Sequence, residues 1–393
     1  MGLFTAAWVS ALLAFSAWLF VLLLGRNRMF RGTVVERANI YCMETLPGNI
    51  DRWMRRGVSD SMVDKLEGLW MMFFGQRNPL FQIFAITLYL LGLAVFMTQA
   101  APMVPNRYLG AWHWAPIVMT LAVNMGSYAK ACVADPGVVN MGNVAQAQRV
   151  FRPDGLLYQA NNLCRTCKVV KPARSKHCSV CGCCVQMMDH HCMWLNNCIG
   201  LNNARWFLVF LGSFTLVCLY GSYIFGTVLL ELRQQNGLEL AMVRDPDTGQ
   251  LVPLSFRTSI LYLLDENVLL AVLLVMLVIL TPAIAIFTLY QLRIVSLGYT
   301  SNEETKWLTV ADAIQDEVVF FVTQDGGSEA VEIIEREDQS ADKRPRRLVR
   351  SLAELKNPYH RSVWANLAFI LFPPRASLAS SASTAQTAKA HAA

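Results

Sequence analysis

Five stretches of this sequence contain no Asp, Glu, Lys or Arg over about the 20 residues that an α-helix needs to cross roughly 30 Å of hydrocarbon. They run from Leu3 to Leu24, Phe81 to Ala100, Leu109 to Ala129, Trp206 to Leu230 and Val268 to Tyr290. The third is interrupted by His113, Pro116 and Asn124, which a membrane helix tolerates where neighbouring helices satisfy the polar groups. The first lacks the basic start and small-residue cleavage site of a signal peptide, ends in Leu22-Leu23-Leu24, and reads as a retained span. Charged residues make up only 16% of the 393 and hydrophobic ones 54%, against about 25% and 45–50% in soluble domains. A purely soluble enzyme is excluded, and the expected fold is an α-helical polytopic membrane protein with about five transmembrane helices.

Orientation follows from the basic residues. Five spans put residues 25–80, 130–205 and 291–393 on one side, and that side holds all of the 34 Lys and Arg except Arg107, Arg233, Arg244 and Arg257. By the positive-inside rule it is cytosolic, which gives a lumenal N-terminus and a cytosolic C-terminus. The net charge of +6 matches an anionic lipid surface and makes no case for nucleic acid.

The expected order is an N-terminal span and cytosolic loop (1–80), a transmembrane hairpin (81–130), a cytosolic cysteine-rich domain (131–205), a second hairpin (206–290), a cytosolic C-terminal region (291–372) and a disordered tail (373–393) rich in Ala and Ser. Residues 38–75 mix Trp53, Trp70, Met71 and Phe73 with many charges, the pattern of an amphipathic helix on the membrane surface or of a loop packed on the spans. Val318–Val322 and Ala330–Ile334 flank Asp325-Gly326-Gly327 as a β-hairpin would. The basic run Lys343-Arg344-Pro345-Arg346-Arg347 reads as a solvated linker or a lipid contact. There is no internal repeat.

Eight of the 11 cysteines lie between Cys164 and Cys198. In a reducing compartment, clustered cysteines bind metal or react more often than they form disulfides. The order is Cys164-x2-Cys167-x9-His177-Cys178-x2-Cys181-x2-Cys184-x4-Asp189-His190-His191-Cys192-x5-Cys198, and repeated C-x2-C pairs with histidines at such distances are the sequence form of tetrahedral zinc. A loop this poor in apolar residues cannot build its own core, so metal must hold it. Two zinc ions need eight ligands, whereas eight cysteines with His177, His190 and His191 offer 11 candidates. Cys183 falls inside a C-x2-C pair, where packing suits it better. His190, Cys192 and Asp189 supply a base, a thiol and an orienting group, the parts of an activated nucleophile. Zinc and the cations at 165, 168, 171, 174 and 176 would favour its thiolate.

This segment resembles the cysteine-rich domain of the DHHC protein S-acyltransferases (palmitoyltransferases). Asp135-Pro136-Gly137, Asn196-Asn197-Cys198-Ile199-Gly200, Asn203 with Phe207, Thr300-Ser301-Asn302-Glu303, and Asn357-Pro358-Tyr359 with Asn366 are similar to further motifs of that family across roughly residues 130–366. The resemblance implies two structural zinc ions, one on Cys164, Cys167, His177 and Cys184, the other on Cys178, Cys181, His191 and Cys198. It leaves Cys192 as acyl acceptor, His190 as its base and Asp189 as the group orienting His190. Two departures stand out: Met193 occupies the place of the family's usual Pro, and Ser301 replaces a second Thr expected to contact Asp189. The extra N-terminal span and the bulky residue at 193 are similar to the fungal Swf-type branch, which acts at the endoplasmic reticulum membrane.

The resemblance implies transfer of a palmitoyl or other long-chain acyl group from acyl-CoA, palmitoyl-CoA as donor, to cysteine thiols. The implied partners are the lipid bilayer and membrane proteins with cysteines beside their spans, SNARE-like proteins among them. The acyl chain is expected in an apolar cavity between the spans, with Trp194 and Trp206 at its mouth or anchored at the interface. A non-catalytic membrane zinc-finger interaction module would explain the ligands and spans but leave Asp189, His190 and Cys192 as coincidence. A channel or transporter would need charges within the spans.

Overall fold

The computed structural model describes residues 60–373 apart from 246–247, 325–328, 336–337 and 340–343, together with residues 32–46 and scattered positions before residue 60. The chain divides into two compact units, one of residues 1–63, 83–127 and 209–289, the other of residues 64–82, 128–208 and 290–393.

The first unit is built from long apolar helices. Helix α1 (Leu80–Val95) starts where the Asn78 side chain accepts from the Leu80 N–H at 3.1 Å, and a wider and then a tighter turn carry it to Met103. Helix α2 (Trp114–Val133) begins five residues after the expected Leu109. The Asn106 side chain folds Tyr108 and Leu109 into a turn, a tight helical turn takes Ala111–His113, and Pro116 then sits in the first turn of α2, where its missing N–H costs nothing. At the expected interruption the Asn124 amide nitrogen donates to Ser213 Oγ at 3.1 Å and to the Phe210 carbonyl at 3.3 Å. Helices α3 (Ala204–Gln235), α4 (Phe256–Glu266) and α5 (Val268–Ser296) follow, with Ser255 capping α4.

Among the described residues three helices are long and apolar enough to cross a membrane: Leu80–Met103, Ala204–Gln235 and Val268–Ser296. Asn124, Ser127 and Lys130 interrupt the apolar run of α2, and the expected first span, Leu3 to Leu24, lies almost wholly outside the described residues. Phe96, Leu109, Ile117, Phe225, Val228, Leu263 and Leu270 form the core of the unit. Leu90, Leu91, Val118, Leu216, Leu269 and Val278 remain exposed; so much bare apolar surface is what a bilayer covers.

The second unit holds the cysteine-rich domain in short strands. Strands β1 (Val138–Val139), β2 (Lys176–Cys178) and β3 (Cys183–Val185) make an antiparallel sheet in the order β1-β3-β2, and β4 (His190–Cys192) pairs with β5 (Asn197–Ile199) as a hairpin. The expected hairpin near residue 325 forms as β6 (Val319–Thr323) and β7 (Glu329–Ile333), its turn lying outside the described residues. Part of the basic run is not a linker: Arg346–Leu348 is β8, paired with β6, and Arg346 and Arg347 lay their guanidinium groups 5.0 and 4.3 Å from the ring centres of Phe320 and Phe321. Long arginine stems on aromatic faces cover that sheet where apolar residues are lacking. Helices α6 (Ser301–Gln315) and α7 (Val363–Leu371) complete the unit. Of the stretch 38–75, the described parts are helical through Thr45 and over Asp60–Trp70. The tail from residue 374 lies outside the described residues.

Candidate active site

Strand register assembles two metal-ligand clusters. His177 lies directly opposite Cys184 and His191 directly opposite Cys198, so each pair projects from one face with side chains about 5 Å apart. The other ligands come from two matching turns. In one, Cys167 N–H points at Cys164 Sγ (3.4 Å) and Lys168 N–H at the Cys164 carbonyl (2.9 Å); in the other, Cys181 N–H points at Cys178 Sγ (3.4 Å) and Gly182 N–H at the Cys178 carbonyl (2.9 Å). Both turns close on a left-handed residue, Lys168 at φ 58° and Gly182 at φ 67°.

The clusters are Cys164, Cys167, His177, Cys184 and Cys178, Cys181, His191, Cys198, each with its ligand atoms within 4.8 Å of one another. His177 Nδ1 lies 3.6, 3.3 and 3.9 Å from Sγ of Cys164, Cys167 and Cys184. His191 Nδ1 lies 3.7, 3.3 and 3.5 Å from Sγ of Cys178, Cys181 and Cys198. A tetrahedral ion with metal–sulfur bonds near 2.3 Å and metal–nitrogen bonds near 2.0 Å sets those separations at about 3.6 Å, so both donor sets fit a metal ion. Cys183 belongs to neither cluster and pairs across the sheet with Cys178.

The same hairpin separates the adjacent histidines. Side chains alternate along a strand, so His190 and Cys192 share the face opposite His191. The imidazole of His190 lies within electrostatic reach of the Cys192 thiol. Its Nδ1 donates to Asp189 Oδ2 at 2.6 Å, which leaves Nε2 for the thiol. Phe207 covers the ring edge-on at 5.3 Å. Asp189 is held in turn by Ser301, whose N–H reaches Oδ1 at 2.5 Å and whose hydroxyl reaches Oδ2 at 3.1 Å. Ser301 is the first residue of α6, so the positive end of a helix dipole also faces the carboxylate. The shortened side chain at 301 thus keeps the contact expected of a Thr.

These contacts set the charges. Burial acts to lower the His190 imidazole, but the hydrogen bond to Asp189 and the neighbouring Cys192 outweigh it and raise the group to about 10. Burial acts to raise Asp189, yet His190 and the Ser301 backbone and hydroxyl hold it below the usual carboxylate range. A protonated imidazole between a carboxylate and a thiol stabilises the thiolate.

The frame around the site uses residues that sequence spacing does not connect. Arg174 does not serve Cys192 as one of the expected cations: its Nε and Nη2 donate to Glu303 at 2.6 and 2.5 Å, and both side chains are buried. Tyr158 OH donates to Glu303 at 3.1 Å, and the guanidinium lies 4.9 and 4.8 Å from the ring centres of Phe151 and Tyr359. Glu303 also closes a capping box with Thr300, so one carboxylate ties the start of α6 to the cysteine-rich domain. Asn357 donates to the Leu297 carbonyl at 3.0 Å and Asn366 to that of Ser296 at 2.9 Å, fastening the chain after α6 to the end of α5. Asn197, opposite Cys192 in the hairpin, caps the C-terminus of α2 by donating to the carbonyls of Ala131, Cys132 and Ala134. Asp135 accepts from Gly137 and Val138, with Gly137 at a φ of 102° that only glycine adopts freely.

Comparison with known proteins agrees with this geometry. The sequence profile described as DHHC palmitoyltransferase matches residues 157–308, which contain both clusters, Cys192 and Ser301. Palmitoyltransferase swf1 of Schizosaccharomyces pombe is 29% identical over 92% of this chain and 94% of its own length. Palmitoyltransferase SWF1 of Yarrowia lipolytica is 28% identical over 80% of each chain, and palmitoyltransferase ZDHHC4 of Mus musculus is 33% identical over 47% of this chain and 53% of its own length. With the family's profile laid over the residues that build the site, and Swf-type relatives aligned along most of its length, the chain carries a DHHC palmitoyltransferase domain and is similar to palmitoyltransferases of the Swf type.

Proposed function

We propose that the chain transfers a long-chain acyl group from acyl-CoA, palmitoyl-CoA in the first instance, to cysteine thiols of membrane-associated proteins through an S-acyl intermediate on Cys192. The observation that carries this reading is the relay from Ser301 through Asp189 and His190 to Cys192. His190 takes the Cys192 proton at Nε2 while Nδ1–H stays on Asp189, and the thiolate adds to the thioester carbonyl. The tetrahedral adduct expels CoA thiolate, which takes the proton from His190. A substrate thiol then gives its proton to His190 and attacks the acyl group, and Cys192 leaves and is reprotonated. One thioester replaces another at little net energy, so the protein's work is positioning and nucleophile activation.

The two clusters suit zinc, because three thiolates and one imidazole in a reducing compartment select it over harder ions. When bound it supplies folding energy to a segment without a large core. Substrates are membrane proteins with cysteines beside their spans, SNARE-like proteins among them, at the endoplasmic reticulum, with the site and the C-terminus cytosolic and the N-terminus lumenal. Purified protein incubated with labelled palmitoyl-CoA should acquire hydroxylamine-sensitive label, and Cys192→Ser should not. Label of equal amount in the variant overturns the reading in favour of another acceptor. In sealed microsomes a tag at residue 393 should be digested and a tag at residue 1 protected; digestion of both refutes the proposed orientation.

A further inference from the structure

We infer that Arg77, Phe81 and Tyr128 act as positioning residues for Cys192, clamping the turn that follows it. This rests on the reading of Cys192 as the nucleophile.

Cys192 ends strand β4, and the chain reverses at once. The Leu195 N–H donates to the Cys192 carbonyl at 3.2 Å and the Asn196 N–H to that of Met193 at 3.2 Å, with Asn196 left-handed at φ 49°. Met193 therefore fills the second position of a four-residue turn, where a proline would preset the backbone. A methionine there leaves φ free and fixes nothing. The nucleophile would inherit that freedom, since it is the first residue of the same turn, and displacement of about 1 Å from reacting geometry can cost on the order of 100-fold in rate.

Restraint comes instead from outside the turn. Arg77 Nε donates to the Asn196 carbonyl at 3.1 Å, Tyr128 OH donates to the Trp194 carbonyl at 3.1 Å, and Phe81 meets the Trp194 ring edge-on with centres 5.8 Å apart. Two of the turn's carbonyls and its one large side chain are thus each held. Arg77 and Phe81 lie at and just before the start of α1 and Tyr128 near the end of α2, all more than 60 residues from the turn. Tyr128 also lies within electrostatic reach of Cys192, so the test rests on Arg77 and Phe81, which hold the Asn196 carbonyl and the Trp194 ring of the turn.

The test uses the full-length protein in detergent or nanodiscs and measures the rate of self-acylation by palmitoyl-CoA, its dependence on donor concentration, and zinc content. Arg77→Ala and Phe81→Ala should each slow self-acylation by about 3- to 10-fold, and the pair together by more, with zinc content and the half-saturating donor concentration unchanged. Met193→Pro should leave the otherwise wild-type protein within about twofold but restore most of the rate lost in Arg77→Ala, because it fixes the same turn from within. Rescue by a distant backbone restraint is not expected if Arg77 only holds the fold or binds donor. Unchanged rates in both alanine variants, loss of zinc in them, or failure of Met193→Pro to rescue Arg77→Ala overturns the inference. Cys192→Ser run alongside keeps the two questions apart: label persisting there refutes the nucleophile itself rather than the clamp.

Discussion

His190 and His191 are neighbours in sequence and stand on opposite faces of strand β4, one hydrogen-bonded to Asp189 on the face of Cys192, the other among Cys178, Cys181 and Cys198. Their alanine variants should fail for different reasons. His190→Ala should keep both metals and lose roughly 10²–10⁴-fold in rate, the usual worth of a positioned base. His191→Ala removes one of four ligands, so the protein should lose metal and fold poorly. Elemental analysis beside self-acylation rates checks both; metal loss in His190→Ala with two ions kept in His191→Ala would exchange the assignments.

The pH dependence of stability carries its own signature. His190 is raised to about 10 in the folded protein against about 6.5 unfolded, so its contribution is complete below about pH 6.5 and is lost as the pH rises through about 10. Asp189 is lowered, so its contribution is present above about pH 3.9 and is lost as the pH falls through its folded value. The drop in Tm caused by His190→Gln should therefore shrink from pH 6.5 to pH 10. A drop that stays constant over that range refutes the charged imidazole.

Ser301 reaches Asp189 through both its backbone and its hydroxyl. Ser301→Ala keeps the stronger backbone contact and should cost only a few-fold in kcat, while Ser301→Thr should remain close to wild type. A loss near that of His190→Ala would mean that the hydroxyl, not the backbone, orients the relay.

Arg174 and Glu303 form a buried pair. Removing one partner strands the other charge, at about 3–5 kcal/mol, so Glu303→Gln should lower Tm and extraction yield sharply. Replacing both, as Arg174→Met with Glu303→Leu, should recover much of the loss, because a buried pair gains little over apolar packing. If the double variant is as unstable as the sum of the singles, the pair is not the source of the effect.

How much of this was legible in the sequence depended on distance along the chain. Cys164 to Cys198 spans one short segment, so ligand types at C-x2-C spacing pointed to metal, whereas His190 and His191 look interchangeable in sequence and are parted by the family resemblance and by the alternation along β4. Spacing had nothing to say about Arg174 and Glu303, 129 positions apart, or about Arg77 and Asn196, 119 apart. Arg174 read as one cation among several near the thiol until its partner was in view. The strand Arg346–Leu348 was hidden for another reason: its residues look like a charge run, and only the stacking of their stems on Phe320 and Phe321 makes them part of a sheet. Helix α2 started late because Asn106 and Pro116 set local geometry that mean apolarity does not register.

The central claim is that Cys192 carries the acyl group and no metal. Mass spectrometry of the purified protein after brief exposure to palmitoyl-CoA, with zinc counted in the same sample, tests it directly. One hydroxylamine-labile palmitoyl group should appear on the peptide containing Cys192, and Cys192→Ser should lose that group while keeping two zinc ions. An unmodified Cys192 beside an acylated cysteine elsewhere, or a single zinc ion in Cys192→Ser, would contradict the account.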